Sequence, residues 1–300
     1  MILSIGEILV DMIGEEKDGC FSYQRKAGGA PFNVSCAIKK FGGHSAFVGN
    51  VGNDIIGNFL INFANKQNLD ELFIKQDKKH NTTLAFVDID DTGERNFCFY
   101  RKNTADYHLP KITNKLLMKA NIIHIGSLMI SEKNGFIYAC NLIEKAKKLN
   151  KLISFDVNYR TDIFSNKEEA ISRYKMILEQ ADIIKLSEDE VEVFSQEYVN
   201  NLAKDKLVCI SLGGKGSKYM FKDITNNISS IRVSPIDTTG AGDAFYAGVL
   251  SNLDNYSKKE WNKELLDKAF RFGNICGALN TLGKGAIDNL PTLEEIKKYL

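Results

Sequence analysis

The chain has 300 residues, 44% of them apolar, which suits one large α/β domain or two smaller ones and is ample for a core. Lys and Arg number 39 against 38 Asp and Glu, a balance that gives neither nucleic acid nor an acidic membrane an electrostatic footing. No apolar run approaches the ~18 residues of a membrane span and no basic leader opens the chain, so a cytoplasmic protein is expected. In chain order, Ile2 to Ile5 reads as a first strand, and β-formers crowd residues 20–26. Pro31 stands at a first helical position, with Val34, Ala37, Ile38 and Phe41 at helical spacing until Gly42-Gly43 stops them. Residues 82–101 again favour strand, with Asp90-Asp91-Thr92-Gly93-Glu94 as a hairpin turn. Strands are predicted at 46–48, 122–125, 152–156, 182–186 and 207–212, and helices at 133–149 and 168–179. That alternation implies a mostly parallel sheet covered by helices, whose ligands collect at the carboxyl ends of its strands.

The six cysteines, at 20, 36, 98, 140, 209 and 276, show no Cys-x-x-Cys pair and no histidine partner. They read as buried, reduced thiols. The four histidines are dispersed, His124 within an apolar strand, and no zinc site is expected.

Chemistry concentrates in Asp237-Thr238-Thr239-Gly240-Ala241-Gly242-Asp243, which runs into an apolar helical stretch. Small residues before a helix start leave backbone N–H groups free, the makings of an anion site. A carboxylate there is placed to act as a base while those groups steady developing negative charge. A tight turn capped by an acid spells the same string. Neither Gly214-Lys215-Gly216 nor Gly283-Lys284-Gly285 is followed by Ser or Thr in the frame of a Walker A loop, and Gly6 to Asp11 lacks a dinucleotide fingerprint.

The string at 237–243 resembles the signature of the PfkB, or ribokinase-like, carbohydrate kinases. A second string, residues 27–43 with Gly28-Gly29 and Asn33, resembles that family's N-terminal motif, so the resemblance spans the chain. It implies a ribokinase-like three-layer sandwich in a single domain over 1–300, with a small β-sheet lid inserted at approximately 15–30 and 82–105. It implies Asp243 as catalytic base, the backbone of Gly240, Ala241 and Gly242 as anion hole, and Asp11, Gly28, Gly29 and Asn33 as sugar contacts. Asp156-Val157-Asn158-Tyr159-Arg160 resembles the Asp-x-Asn-x-Arg of fructokinases and 2-keto-3-deoxygluconate kinases. In extended chain its polar side chains share a face, with Asn158 on the sugar and Arg160 on the transferring phosphoryl group or the substrate. Thr161 and Phe164 depart from those families' usual Pro and Trp.

The resemblance further implies ATP with Mg2+ as cofactors. Lys185, Gly213, Gly216 and Asn274 would border the nucleotide, and Glu190 would orient magnesium-bound water, although Glu188 to Glu190 also read as ordinary first-turn acids. Asp237 and Thr239 match the potassium site of many relatives, and a homodimer through the lid rests on the resemblance alone. Residues 99–106 look like the aromatic-Arg, Ala-Asp string of bacterial fructokinases, putting Arg101 on the substrate. Fructose phosphorylated at C6 is the first expectation and the keto-deoxy acid the second, since Arg101 can also grip a carboxylate. Ribose or a nucleoside is third, and a non-catalytic sugar sensor last, because Asp243 and its glycines are intact.

Overall fold

The computed structural model describes residues 1–17, 19–89, 95–164 and 166–300. The chain begins with β1 (Ile2–Ile5), passes through β2 (Leu9–Lys17) and β3 (Cys20–Gly28), then α1 (Ala30–Lys40), β4 (Ser45–Gly52), α2 (Ile55–Asn65) and β5 (Glu71–Asp77). β6 (Leu84–Ile89) and β7 (Arg95–Tyr100) follow, then α3 (Asn114–Lys119), β8 (Ile122–Ile125), α4 (Lys133–Lys148), β9 (Leu152–Asp156) and α5 (Lys167–Leu178). The remainder is β10 (Ile183–Ser187), α6 (Glu188–Phe194), α7 (Gln196–Ala203), β11 (Leu207–Ser211), β12 (Ser217–Phe221), β13 (Ile224–Ile228), α8 (Ala241–Leu253), α9 (Lys263–Asn280) and α10 (Leu293–Lys297).

Nine strands form the central sheet in the order β13-β12-β11-β10-β9-β8-β1-β4-β5, parallel from β5 through β11 and closed by an antiparallel edge of β12 and β13. Its strands bury both faces, as a continuous apolar run such as Leu207-Val208-Cys209-Ile210, which opens β11, requires. Alternate residues feed two cores: Ile2, Ile122, Ile183 and Leu207 pack with Phe32 of α1, Phe245 of α8 and Phe270 of α9. Leu3, Ile123, Ile153 and Ile184 pack with Ile143 of α4 and Ile177 of α5. The result is three layers, helix, sheet and helix.

A separate four-stranded sheet, β3-β2-β6-β7, stands off the main one. It begins at Leu9, well before the expected lid start near residue 15, so Asp11 lies in the lid sheet itself and not in a loop after β1. The expected turn at 90–94 lies outside the described residues, but β6 and β7 pair antiparallel on either side of it. Three cysteines are buried as expected, Cys36, Cys209 and Cys276, whereas Cys140 is half-buried on α4 and Cys20, at the start of β3, and Cys98, on β7, are exposed on the lid, which has no second layer of its own to bury them.

Candidate active site

The carboxyl ends of β1, β8, β9 and β10 open beneath the lid into a cavity of about 330 Å³. α8 begins at its edge. Gly240 takes the left-handed conformation, φ 74°, and a Cβ there would lie 2.6 Å from that of Ala286, so only glycine turns the chain into the helix here. The Ala241 N–H is taken by the Thr238 carbonyl at 3.2 Å. That corrects the expectation for Ala241, leaving the amides of Gly242 and Asp243 as first-turn donors without an intrahelical acceptor.

Asp243 lines the cavity and accepts 2.8 Å from the Asn33 amide of α1. Burial, then the negative charge of Asp156, pushes its carboxyl up to about 6, while Asn33, Lys185 and Arg160 pull the other way. A base titrating just below neutrality is ionised, and basic enough to take a hydroxyl proton as that hydroxyl is phosphorylated. Opposite it, Lys185 grips both oxygens of Asp156 at 2.9 and 2.8 Å from adjacent strands, with little solvent access. Burial alone would lower the Lys185 ammonium; Asp156, Glu190 and Asp243 more than offset it and keep the cation. Lys185 faces this cavity and not the nucleotide side where sequence put it.

Asp11, Gly29, Asn33, Asn158 and Arg160 all line the same cavity. Gly29, at φ 107°, lets the backbone pass the Glu7 carbonyl, which a Cβ would meet at 2.5 Å. Gly28 does not line the cavity; a Cβ on it would lie 2.3 Å from Asp11 Oδ2, so it serves by making room for that carboxylate. Asp156, Asn158 and Arg160 converge although the chain is not extended there, because Asn158 turns it at φ 38°.

Arg101 is not in the cavity. Its guanidinium is 5% exposed, holds Asp106 through Nε and Nη2, and donates through Nη1 to Tyr107 Oη at 2.6 Å and the Leu128 carbonyl at 2.7 Å. The aromatic-Arg string therefore builds the floor where β7 rejoins the core, and Phe99 takes the cavity wall. Glu190 likewise lines neither cavity nor cleft. Its carboxylate accepts from the backbone N–H groups of Ser187 and Tyr159 at 2.7 and 2.6 Å, closing a capping box on α6.

Sequence reasoning passed over Glu7. It is fully buried in the cavity wall, neither oxygen has a hydrogen-bond partner, and burial, partly offset by Arg101, pushes it up to about 8. The available signal was one acid inside the apolar run Leu3 to Val10.

A second cleft of about 510 Å³ adjoins the first, with Thr238 and Gly242 in the walls of both. Gly213, Gly216 and Asn274 line it, with Ile231, Val233 and Phe245 as apolar walls. Gly216, at φ 109°, clears the Ile228 carbonyl, which a Cβ would meet at 2.1 Å, and Asn274 donates to that carbonyl at 2.7 Å. A polar sugar-sized cavity and an apolar, glycine-rimmed cleft thus meet at the first turn of α8.

Beside that turn, Asp237 accepts from the Thr239 and Gly285 N–H groups at 2.7 and 2.9 Å. Thr239 Oγ1 and Asn280 Oδ1 are buried there without a partner, and the Asn280 amide holds the Thr239 carbonyl at 3.1 Å.

The sequence pattern described as pfkB family carbohydrate kinase matches residues 1–293. The chain is 35% identical to the probable fructokinase-2 of Arabidopsis thaliana over 100% of its own length and 95% of that protein. Among solved structures it superposes on fructokinase with bound ATP from Xylella fastidiosa with a TM-score of 0.90 at 27% identity, covering 99% of this chain and 97% of that one. It superposes on fructokinase from Vibrio cholerae O395, in its fructose, ADP and calcium ion bound form, with a TM-score of 0.87 at 31% identity, covering 100% and 98%.

Proposed function

The chain belongs to the pfkB family of carbohydrate kinases, and from that premise we propose that it is a fructokinase, transferring the γ-phosphoryl group of ATP to the 6-hydroxyl of fructose. The observation that carries this reading is the meeting of two cavities at Gly242, with a half-buried carboxylate, Asp243, on the sugar side. Fructose binds under the lid against Asp11, Asn33 and Asn158. ATP binds in the apolar cleft with its triphosphate directed at the start of α8.

As the C6 oxygen bonds to the γ-phosphorus, its proton passes to Asp243 and the bond to the bridging oxygen of ADP breaks. The amides of Gly242 and Asp243, with Arg160 and Lys185, hold the charge that gathers on the transferring group. Asn33 keeps the Asp243 carboxylate aimed. Asp156, in the cavity wall beside Lys185, is a carboxylate that would face magnesium held mainly by phosphate oxygens and water, whereas Glu190, engaged in capping α6, would not. Magnesium supplies neutralisation of the triphosphate when bound. The unpartnered oxygens of Thr239 and Asn280 beside Asp237 suit a monovalent cation such as potassium.

Fructose is favoured over a keto-deoxy acid by charge. Asp11, Asp156 and Asp243 face Arg160 and Lys185 among the charged groups of the wall, Glu7 keeping its proton up to about 8, which suits a neutral polyol, and the fully engaged Arg101 is not available as a carboxylate clamp. The reading includes a homodimer through the lid, supported by an aromatic row of Phe21, Tyr23, Phe86 and Tyr100 whose end members are 57% and 63% exposed. Sedimentation of the protein and of a Phe21→Ser/Tyr100→Ser variant tests that part.

The deciding experiment is ADP release with magnesium, ATP and potassium against fructose, 2-keto-3-deoxygluconate, ribose, glucose and inosine. A fructose preference of about tenfold or more in kcat/KM, roughly 1.4 kcal/mol, is expected. A preference for the keto-deoxy acid would overturn the substrate while keeping the fold, and turnover with none would overturn the kinase.

A further inference from the structure

One rung below the cavity floor, the sheet face that packs against α8 carries polar side chains where its neighbours are apolar. Ser4, His124 and Ser154 are register partners on β1, β8 and β9, and all are fully buried. Tyr246 of α8 stands over them, its ring 5.5 Å from the imidazole at 72°. His124 Nδ1 lies 3.1 Å from Ser154 Oγ, Ser154 Oγ lies 2.7 Å from Tyr246 Oη, and Tyr246 Oη lies 3.1 Å from the Ile183 carbonyl.

These contacts have one consistent direction. A carbonyl only accepts, so Tyr246 gives its single proton to Ile183. Its oxygen therefore accepts from Ser154, whose oxygen accepts in turn from the Nδ1–H of His124. Burial pushes the imidazole down to about 3, so it stays neutral and Nδ1 carries the ring proton.

Each member is tied by periodicity to a residue of the site above. Ser154 and Ile183 lie two residues before Asp156 and Lys185 on the same strand faces, and Tyr246 lies one helical turn after Asp243. Packing alone does not account for the row, since Phe at 246 and Val at 154 would fill similar space with no polar group to satisfy, and the row is kept although His124 Nε2 and Ser4 Oγ are buried without a partner.

We propose that the chain from His124 through Ser154 and Tyr246 to Ile183 is the positioning device of the phosphoryl-transfer centre. It fixes the depth and rotation of α8 against β9 and β10, and so sets Asp243 and the first-turn amides against the Asp156–Lys185 pair. Tyr246, Ser154 and His124 are positioning residues, acting through α8 without touching substrate. The inference rests on the reading of Asp243 as base.

The test compares Tyr246→Phe, Ser154→Ala and the double variant in kcat, both KM values and melting temperature. Each single change is expected to lower kcat about tenfold or more through misplacement, with both KM values within about twofold. The double is expected to be no worse than the poorer single, because one broken link disconnects the chain. Ser154→Thr, which keeps a hydroxyl, is expected to restore kcat, and it carries the test if Tyr246→Phe does not fold. A lowered melting temperature with unchanged kcat, or kcat losses that multiply in the double, would overturn the proposal. Asp243→Asn in the same assay separates the two levels: near-normal turnover there would overturn the underlying reading, whereas a dead Asp243→Asn beside an unimpaired Tyr246→Phe would overturn the chain alone.

Discussion

Replacing Lys185 with Met removes an ammonium that lies 2.9 and 2.8 Å from the two oxygens of Asp156, in a pair whose side chains are 9% and 4% exposed. Methionine fills much of the space, so the loss is chiefly electrostatic: an uncompensated buried carboxylate, which costs about 3–5 kcal/mol of folding stability. The same change acts on the base. Asp243 sits at about 6 with burial and Asp156 raising it and Asn33, Lys185 and Arg160 lowering it, so removal of the cation leaves only Asn33 and Arg160 against the raising influences. Asp243 must be ionised to accept a proton, and its titration therefore sets the acid limb of kcat/KM. In Lys185→Met that limb moves to higher pH by about one unit or more, a tenfold smaller ionised fraction on the acid side for each unit. Coupled ADP release from about pH 5 to pH 9 reads the limb directly. Adding Asp156→Leu should return it toward the starting pH and recover part of the stability, because the orphaned charge is gone. An unmoved or acid-shifted limb in a cooperatively folding Lys185→Met protein would refute the reasoning.

Glu7 predicts a pH-dependent stability. Its folded carboxyl holds a proton up to about 8 while the unfolded chain releases one near 4.5, so stability falls as pH rises between those values by up to ~1.4 kcal/mol per pH unit. Glu7→Gln should flatten urea midpoints across that window, and a slope like that of the parent would count against a buried, unpartnered acid. Gly28→Ala puts a Cβ 2.3 Å from Asp11 Oδ2; the sugar KM should rise about tenfold or more with the ATP KM unchanged, and an unchanged sugar KM would remove Asp11 from the sugar site. Arg101→Met should lower folding stability by about 3–5 kcal/mol by stranding Asp106 without altering the ratio of kcat/KM for fructose over the keto-deoxy acid. A changed ratio would put Arg101 back on the substrate.

The central strands were legible because a parallel sheet covered on both faces spells short, mostly apolar runs, such as Ile122–Ile125 and Leu207–Ser211, and the start of α8 because small residues before a carboxylate have few other uses. β2 was not legible: Leu9–Lys17 carries Asp11, Gly14, Glu15, Glu16 and Lys17, so no alternation marks it. The antiparallel edge of β12 and β13 escaped for a related reason, Ile224–Ile228 being polar at three of five positions. Arg101 was read as a ligand through the resemblance of residues 99–106 to the string of bacterial fructokinases; Asp106, the group that holds it in the interior, stands five residues on in that same string. Glu190 was misjudged where a local rule sufficed, since Ser187-Glu188-Asp189-Glu190 spells a capping box. Residues that act through neighbours across the sheet, Glu7 and His124 among them, carry no spacing of their own and emerge only when the strands are brought together.

Asp243 as the base is the account's central claim, and the most direct measurement is kcat of Asp243→Asn at saturating fructose and ATP, with fructose binding followed in parallel by calorimetry. The account predicts a fall of ~10²-fold or more, the usual worth of a positioned base, in a folded protein that still binds the sugar. Turnover within a few-fold of the parent would contradict it.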